Sequence, residues 1–113
     1  IGSMTRNHFK DSLAQLDTLV ADAPGWAEAW NKRATLLYLM DRDEDSVRDI
    51  EQVMALEPRH FGALAGLGQI LLRCGDEQSA AMAFAAALEA NPNLDSLRET
   101  IELISRKFPL TAH

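Results

Sequence analysis

Apolar side chains recur along this chain at every third or fourth position, which is the spacing of amphipathic helices. Between residues 27 and 56 the spacing marks two stretches, separated by the polar run Asp41-Arg42-Asp43. The recurring positions in these two stretches are Trp30, Ala34, Leu37, Val47, Ile50 and Val53. The same pattern occurs before and after this segment, so the sequence predicts an all-α fold.

The breaks between apolar stretches set the expected ends of about six helices. Pro58 and Pro92 each follow a stretch and end it, because the residue before proline disfavours the α region. Gly75 supplies a left-handed turn, and Asp76 can begin the helix that follows. The four helices that the spacing and the breaks predict directly span residues 27–40, 44–56, 61–73 and 77–90.

A period of 34 residues organises the chain. Pro24, Pro58 and Pro92 are separated by this interval, and apolar or small residues fall into the same register. The aligned sets are Leu16, Ile50 and Phe84; Leu19, Val53 and Ala87; Ser12, Ser46 and Ala80; and Ala34 with Gly68. A fixed period of this length indicates a tandem array of helix hairpins. We expect the small residues to let the two helices of each hairpin approach closely.

These residues resemble the tetratricopeptide repeat (TPR). The match in residues 61–94 rests on Leu64, Leu67, Gly68, Leu71, Gly75, Ala80, Phe84, Ala87 and Pro92, and that in residues 27–60 on Trp30, Ala34, Val53 and Pro58. The run 57–66 also resembles one in short proteobacterial TPR proteins. The first repeat departs from the family at Arg33, Leu37, Ser46 and Ile50. The resemblance implies a right-handed superhelical stack of antiparallel hairpins that binds proteins and carries no chemistry of its own.

The repeats suggest the organisation of the chain. We expect residues 1–4, Ile-Gly-Ser-Met, to be an expression scar, and residues 5–108 to form a single TPR-like domain. Within it, residues 5–23 would be the lone second helix of a truncated repeat, residues 27–60 and 61–94 two full repeats, and residues 94–108 a capping helix. Residues 109–113 would be a tail.

Composition narrows the possible functions. The formal net charge of −6 argues against nonspecific binding of nucleic acid, which requires a basic surface. No apolar run is long enough to span a bilayer. One cysteine, Cys74, excludes an internal disulfide, and we expect it to pack as a small apolar side chain. Cytoplasm and periplasm both remain open.

Chemistry-bearing motifs are missing from the sequence. His8, His60 and His113 are scattered without the spacing of metal ligands, and no phosphate-binding loop or nucleophile motif occurs. We therefore expect a non-catalytic protein without metal or cofactor.

First helices of such an array line its concave side, so their outward positions form the candidate partner-binding groove. These residues are Glu28, Asn31, Thr35, Tyr38, Leu39, Ala65, Gln69, Leu72 and Arg73. Their mixture of apolar and hydrogen-bonding groups suits an extended peptide or an apolar helix, from a protein of unknown identity. Some TPR domains bind a chaperone's C-terminal carboxylate through Lys, Asn and Arg. At those places only Asn31 fits, which argues against such a partner.

Arg33 stands where the period calls for an apolar core residue. A buried guanidinium is costly unless it is paired, so we expect Arg33 to reach solvent or to pair with Asp45 or Asp49. Segment 41–57 is rich in carboxylates, and we expect it to be a solvated face, with docking of a basic partner as the functional alternative.

The N-terminal helix offers a second functional hypothesis. It lacks the first helix of its repeat, so Leu13, Leu16, Leu19 and Val20 can leave apolar surface for another molecule. This alternative predicts a structural fragment that forms a homodimer through the helix.

Overall fold

Six α-helices make up the described part of the chain. The computed structural model describes residues 2–107, with side chains for residues 8–106; Phe108, the predicted tail and His113 lie outside it. The helices are α1 (Gly2–Asp22), α2 (Ala27–Leu39), α3 (Asp43–Leu56), α4 (Phe61–Arg73), α5 (Glu77–Ala90) and α6 (Asp95–Lys107). The all-α prediction is confirmed, and the ends of α2 to α6 lie within one residue of the predicted ends. Helix α1 begins at Gly2, so residues 2–4 are helical, and their origin as an expression scar stays a prediction.

The 34-residue period is visible in the helices themselves. Helices α2, α4 and α6 begin at residues 27, 61 and 95 and are 13 residues long, whereas α3 and α5 begin at residues 43 and 77 and are 14 residues long. Helix α6 therefore stands in the register of a first helix. At the register of Ala34 and Gly68 it carries Glu102, which is exposed. A polar residue thus stands in α6 where the two preceding first helices have small ones.

The chain divides into two compact units, with the division between Pro58 and Arg59. The first unit contains α1, α2 and α3; α2 and α3 form a hairpin, and α1 packs against α2. The second unit contains the hairpin of α4 and α5, with α6 packed against α5. The division falls close to the predicted repeat boundary at residue 60. A single domain over residues 5–108 stays a prediction.

Gly68 of α4 and Phe84 of α5 are tightly packed in the second hairpin. A Cβ atom built on Gly68 would lie 2.4 Å from Cε1 of Phe84. Phe84 is fully buried, between Ala80 and Ala87, which are fully buried too. The aromatic ring thus occupies the space that a side chain at residue 68 would need.

The first hairpin makes its close approach with a different pair. Ala34 and Ile50 hold the places of Gly68 and Phe84, and each is 2% exposed. One turn before Ile50, the buried hydroxyl of Ser46 donates a hydrogen bond to the carbonyl oxygen of Ala34, 2.6 Å away. A serine is accommodated at this seam because its only polar side-chain atom is bonded to the facing helix.

The turn inside each hairpin depends on one left-handed residue. Gly75 has φ of 89°, and Asp41, which lies 34 residues earlier, has φ of 62°. Asp76 then caps α5 by accepting a hydrogen bond from the backbone N–H of Ser79. The predicted turn at Gly75 is confirmed, and the first hairpin makes the same turn with a non-glycine residue.

Substitutions that give the second hairpin the residue pair of the first test the tight packing between Gly68 and Phe84. We expect Gly68→Ala to lower the free energy of unfolding by about 1–3 kcal/mol, because the added methyl group overpacks the buried ring. In the background of Phe84→Ile the same substitution should cost much less, since the pair then matches Ala34 and Ile50. Chemical denaturation of the two single variants and the double variant measures this coupling. Additive effects would contradict the proposed contact.

Replacing Gly75 with alanine isolates the cost of the left-handed turn. No atom lies within 4 Å of a Cβ built there, so the expected loss of about 1–2 kcal/mol comes from backbone conformation alone. Gly25→Ala is the control, because Gly25 also faces open space but lacks a positive φ. Thermal unfolding should show destabilisation of the Gly75 variant only. Equal midpoints for the two variants would refute a conformational cost at Gly75.

Candidate functional site

Helix α2 presents the first half of the predicted binding residues on successive turns. Glu28, Thr35 and Leu39 are exposed, and Asn31 and Tyr38 are half-buried. The hydroxyl of Thr35 donates a hydrogen bond to the backbone oxygen of Asn31, one turn earlier. Leu39 is 55% exposed and adds apolar surface to this polar face. The α2 face, by which we mean these five residues, offers hydrogen-bonding groups beside one exposed aliphatic side chain.

Helix α4 presents the other predicted residues, but two of them are partly covered. Gln69 and Arg73 are exposed. Ala65 and Leu72 are half-buried, because they pack against the buried cluster around Phe84, Leu97 and Ile104. The α4 face, defined as Ala65, Gln69, Leu72 and Arg73, is therefore mainly polar where it meets solvent. The sequence pattern of α4 alone did not show this covering.

Arg33 joins the three helices of the first unit. Its Nε and Nη2 atoms donate to both carboxylate oxygens of Asp49 on α3, at 2.7 and 2.9 Å. Its Nη1 atom donates to Asp17 on α1 at 3.0 Å. The side chain of Asp49 is 5% exposed and that of Arg33 is 21% exposed. The expected pairing of Arg33 is thus confirmed for Asp49, and the bond to Asp17 is an addition.

The surroundings keep the Arg33 guanidinium charged. The hydrogen bonds with Asp49 raise the pKa of Arg33 above its ordinary value and outweigh the opposing effect of burial. The guanidinium carbon also lies 5.2 Å from the centre of the Trp30 ring, within the range of a cation–π contact. Trp30 is half-buried, and its indole N–H donates to the carbonyl oxygen of Pro24 at 2.8 Å. Arg33 therefore acts as a fixed structural cation.

Asp45, the other carboxylate considered for Arg33, binds two different arginines. Nη2 and Nε of Arg42 lie 2.7 and 3.0 Å from one oxygen of Asp45, and Nη1 of Arg48 lies 2.5 Å from the other. The hydrogen bonds from Arg42 lower the pKa of the Asp45 carboxyl below its usual value. The group stays ionised at neutral pH, which is unsuitable for a general acid.

An open cavity of about 430 Å³ lies among these charges in the first unit. The residues that line it are Leu13, Asp17, Trp30, Arg33, Leu37, Arg42, Asp45, Arg48, Asp49 and Gln52. The three aspartates are each paired with arginine. The carboxylates of this cavity are thus held in two sets of ion pairs, Asp17–Arg33–Asp49 and Arg42–Asp45–Arg48.

A second open cavity, of about 380 Å³, lies between α5 and α6 in the other unit. Ala81, Met82, Ala85, Ile101 and Ile104 line it together with two neutral polar residues, Gln78 and Ser105. The side chain of Met82 is 73% exposed. This cavity offers apolar contact area and no charged group to orient a ligand.

Comparison with known proteins identifies the type of repeat. The chain is 39% identical over 97 residues to a TPR repeat-containing protein of Rhizobium etli, a match that covers 86% of this chain and 48% of the relative. No protein-family model matches the sequence. A crystal structure of MamA has a TM-score of 0.82 and 19% identity, covering 95% of this chain and 63% of that one. The Sgt2 TPR domain of Aspergillus fumigatus has a TM-score of 0.80 and 21% identity, covering 96% and 73%.

This chain is built of tetratricopeptide repeats. It has an all-α helical-repeat fold, and folds of this type generally serve as protein-interaction modules. The chain spans about half the length of the curated relative that it matches.

Within the TPR pattern, Arg33 is the main departure. The residue 34 positions later is Leu67, and the equivalent of Asp49 is Ala83, so the second repeat has an apolar pair where the first has an ion pair. Both Asp17 and Asp49 lie 16 residues from Arg33 along the chain. This interval equals the distance between the starts of α2 and α3, and it is the signal that could have indicated Asp17 from the sequence.

Two other predictions concern possible reactive groups. Cys74 ends α4 and is exposed, so the expectation that it packs as a small apolar side chain was wrong. Cys74 follows Arg73 as the C-terminal cap of α4, outside the helix to which the apolar spacing applies. Over residues 2–107 the structure contains no group of three or more potential ligands that could hold a metal ion, and no helix long and apolar enough to cross a membrane.

Substitutions that copy the second repeat measure how much the Arg33–Asp49 ion pair contributes to the free energy of unfolding. We expect Asp49→Ala to lower the free energy of unfolding by about 3 kcal/mol, because it leaves a largely buried guanidinium without its main partner. The double variant Arg33→Leu with Asp49→Ala imports the pair Leu67 and Ala83 and should lie within about 1 kcal/mol of the parent. Urea denaturation of the full cycle tests this.

Arg42→Ala provides a control for the loss of an arginine at a more exposed pair. Arg42 is 49% exposed in its side chain, so its removal should cost less than about 1 kcal/mol. A double variant as unstable as Asp49→Ala alone would refute the idea that the apolar pair substitutes for the ion pair.

Proposed function

We propose that the α2 face and the α4 face bind a segment of a partner protein, either an extended peptide or a helix with an apolar side. These two faces hold the residues that the sequence predicts as the lining of a shallow concave groove. The observation that carries the proposal is the composition of the α2 face, where Leu39 is exposed beside Glu28, Asn31 and Thr35. Groups of this kind satisfy a peptide backbone while one aliphatic contact adds apolar burial.

We expect the chain to bind a partner protein and to catalyse no reaction. TPR proteins are generally non-catalytic scaffolds. The ion pairs of Asp17, Asp45 and Asp49 with arginines support the same role here. The acidic net charge favours a protein partner over nucleic acid.

Photo-crosslinking locates the binding surface before the partner is identified. We expect a photoreactive residue at Thr35 or at Gln69 to capture the same protein from native extract, because both positions are exposed on the proposed faces. A photoreactive residue at Glu51, exposed on α3, serves as the control and should not capture it. Mass spectrometry of the adducts identifies the partner.

A pair of matched leucine substitutions tests the apolar contact. Leu39→Asp should weaken capture at least tenfold, whereas Leu56→Asp should leave it unchanged. Leu56 is 40% exposed and lies on α3, so both variants place a charge at an exposed leucine. Capture that survives Leu39→Asp, or that occurs equally from Glu51, would place the binding surface elsewhere.

Self-association through α1 is the second candidate function. Leu13, Leu16 and Leu19 are half-buried in the single chain. Val20 is buried, so the expectation that it adds to an exposed apolar surface was wrong. The observation that favours it is that the residues 34 and 68 positions after Leu16 and Leu19 are buried in both hairpins. This function would operate beside partner binding, since it uses a different helix.

A further inference from the structure

The charged cavity of the first unit departs from the pattern of the repeat. Charged or amide side chains line it on α2, in the turn that follows and on α3: Arg33, Arg42, Asp45, Arg48, Asp49 and Gln52. The residues 34 positions later are Leu67, Asp76, Ser79, Met82, Ala83 and Ala86, of which only Asp76 carries a charge. The second hairpin therefore folds without such a network. A polar network where the repeat otherwise has apolar or small residues is the kind of exception found at functional sites.

The two sets of ion pairs around this cavity have opposite formal charges. Two carboxylates and one guanidinium give −1 in the first set, and two guanidiniums and one carboxylate give +1 in the second. We call these sets the negative pole (Asp17, Arg33 and Asp49) and the positive pole (Arg42, Asp45 and Arg48). Asp45 precedes Asp49 by four residues on α3, so the poles are offset by one helical turn, about 6 Å. The cavity thus combines two charged ends with no net charge.

Each pole keeps groups that can bond to a ligand. In the negative pole, Asp17 binds Arg33 through Oδ1, and its side chain is 57% exposed, so its Oδ2 atom is accessible to a cation. In the positive pole, Arg48 donates to Asp45 through Nη1, and Arg42 donates through Nε and Nη2. A guanidinium has five N–H groups, so Nη2 of Arg48 and Nη1 of Arg42 can still donate to a carboxylate.

Apolar side chains complete the lining of the cavity. Leu13 of α1 contributes to it together with Trp30 and Leu37 of α2. The indole of Trp30 is held by its bond to Pro24, and Leu37 is buried. The volume of about 430 Å³ is that of a site for a small ligand. A ligand that matches these features has a cationic group at one end, a carboxylate at the other and an apolar chain between them.

We propose that this cavity binds a linear zwitterion, in which a chain of methylene groups about 7 Å long joins an ammonium group to a carboxylate. The ammonium group bonds to Asp17, and the carboxylate bonds to Arg42 and Arg48. The methylene groups pack on Leu13 and Leu37. Such a ligand has no net charge, so the net charge of −6 on the chain does not repel it. A free ω-amino acid and a lysine at the C-terminus of a protein share this chemistry. The site is separate from the α2 and α4 faces.

Matched compounds test the need for both poles. We expect 6-aminohexanoate to bind with a dissociation constant of about 1 mM or lower. Hexanoate and hexylamine each lack one charged end and should bind about tenfold more weakly. Two-dimensional proton–nitrogen NMR at constant ionic strength follows the binding through the indole N–H of Trp30, which lines the cavity. The indole of Trp26, which is 49% exposed and does not line the cavity, is the internal control.

Substitutions at the two poles test the orientation of the ligand. Asp17→Asn should weaken binding of 6-aminohexanoate about tenfold and remove its advantage over hexanoate. Arg48→Gln should weaken it as much and remove its advantage over hexylamine. Both side chains are more than half exposed, so the variants should fold, and circular dichroism checks this. Asp95→Asn and Arg98→Gln are the matched controls: they remove the charges of an exposed pair in the second unit and should leave binding unchanged.

A short peptide distinguishes the two sources of the ligand. If Gly-Ser-Gly-Ser-Lys with a free carboxylate binds as tightly as 6-aminohexanoate and its amide does not, the ligand is a C-terminal lysine. If neither peptide binds, the ligand is a free ω-amino acid; both results uphold the proposal. Equal binding of the three matched compounds overturns it, as does a Trp30 signal that 6-aminohexanoate does not shift. Binding that survives both Asp17→Asn and Arg48→Gln also overturns it. None of these results affects capture of a partner at Thr35 or Gln69.

Discussion

The close approach of two helices at one small residue is the constraint on which each hairpin depends. At Gly68 the approach is so tight that even a methyl group would collide with the Phe84 ring. At Ser46 it brings a hydroxyl within 2.6 Å of the backbone oxygen of Ala34. Because a larger side chain at either place would separate the helices, the small residue must recur with the period of the structure. The large residue opposite it can vary as long as the summed volume fits.

Positions away from that contact tolerate a wider range of residue types, as Arg33 shows. The second repeat has Leu67 and Ala83 at the equivalent positions, whereas the first has Arg33 and Asp49. The ion pair is tolerated because both carboxylate oxygens of Asp49 are bonded and Asp17 takes a further N–H group. An apolar pair contacts only two helices. The Arg33 guanidinium, by contrast, bonds to Asp17 of α1 and to Asp49 of α3 and so links both helices to α2.

Sequence alone predicted the helices because period and proline placement act locally, and it predicted a partner for Arg33 because a buried charge is expensive. It did not predict Asp17, since that bond depends on how α1 lies against α2. It also placed Leu72 on an open face, although the side chain packs partly against the core that α6 completes. Cys74 was misjudged for a related reason: helical periodicity does not say where a helix end leaves the core. In each case the missing information was the position of another helix.

The register of the repeat also separates two kinds of surface in one small chain. The first helices α2 and α4 bury their small residues, Ala34 and Gly68, and expose Leu39 and Gln69. The exposed residues can therefore vary without changing the packing inside the repeat. Helix α1 carries the packing register of a second helix, and its Leu16 and Leu19 are half-buried. Leu16 and Leu19 of α1 occupy repeat positions that are buried in both hairpins, where α3 has Ile50 and Val53 and α5 has Phe84 and Ala87. A surface of that origin favours another helix over an extended peptide, because only a helix presents side chains at the spacing that the seam receives.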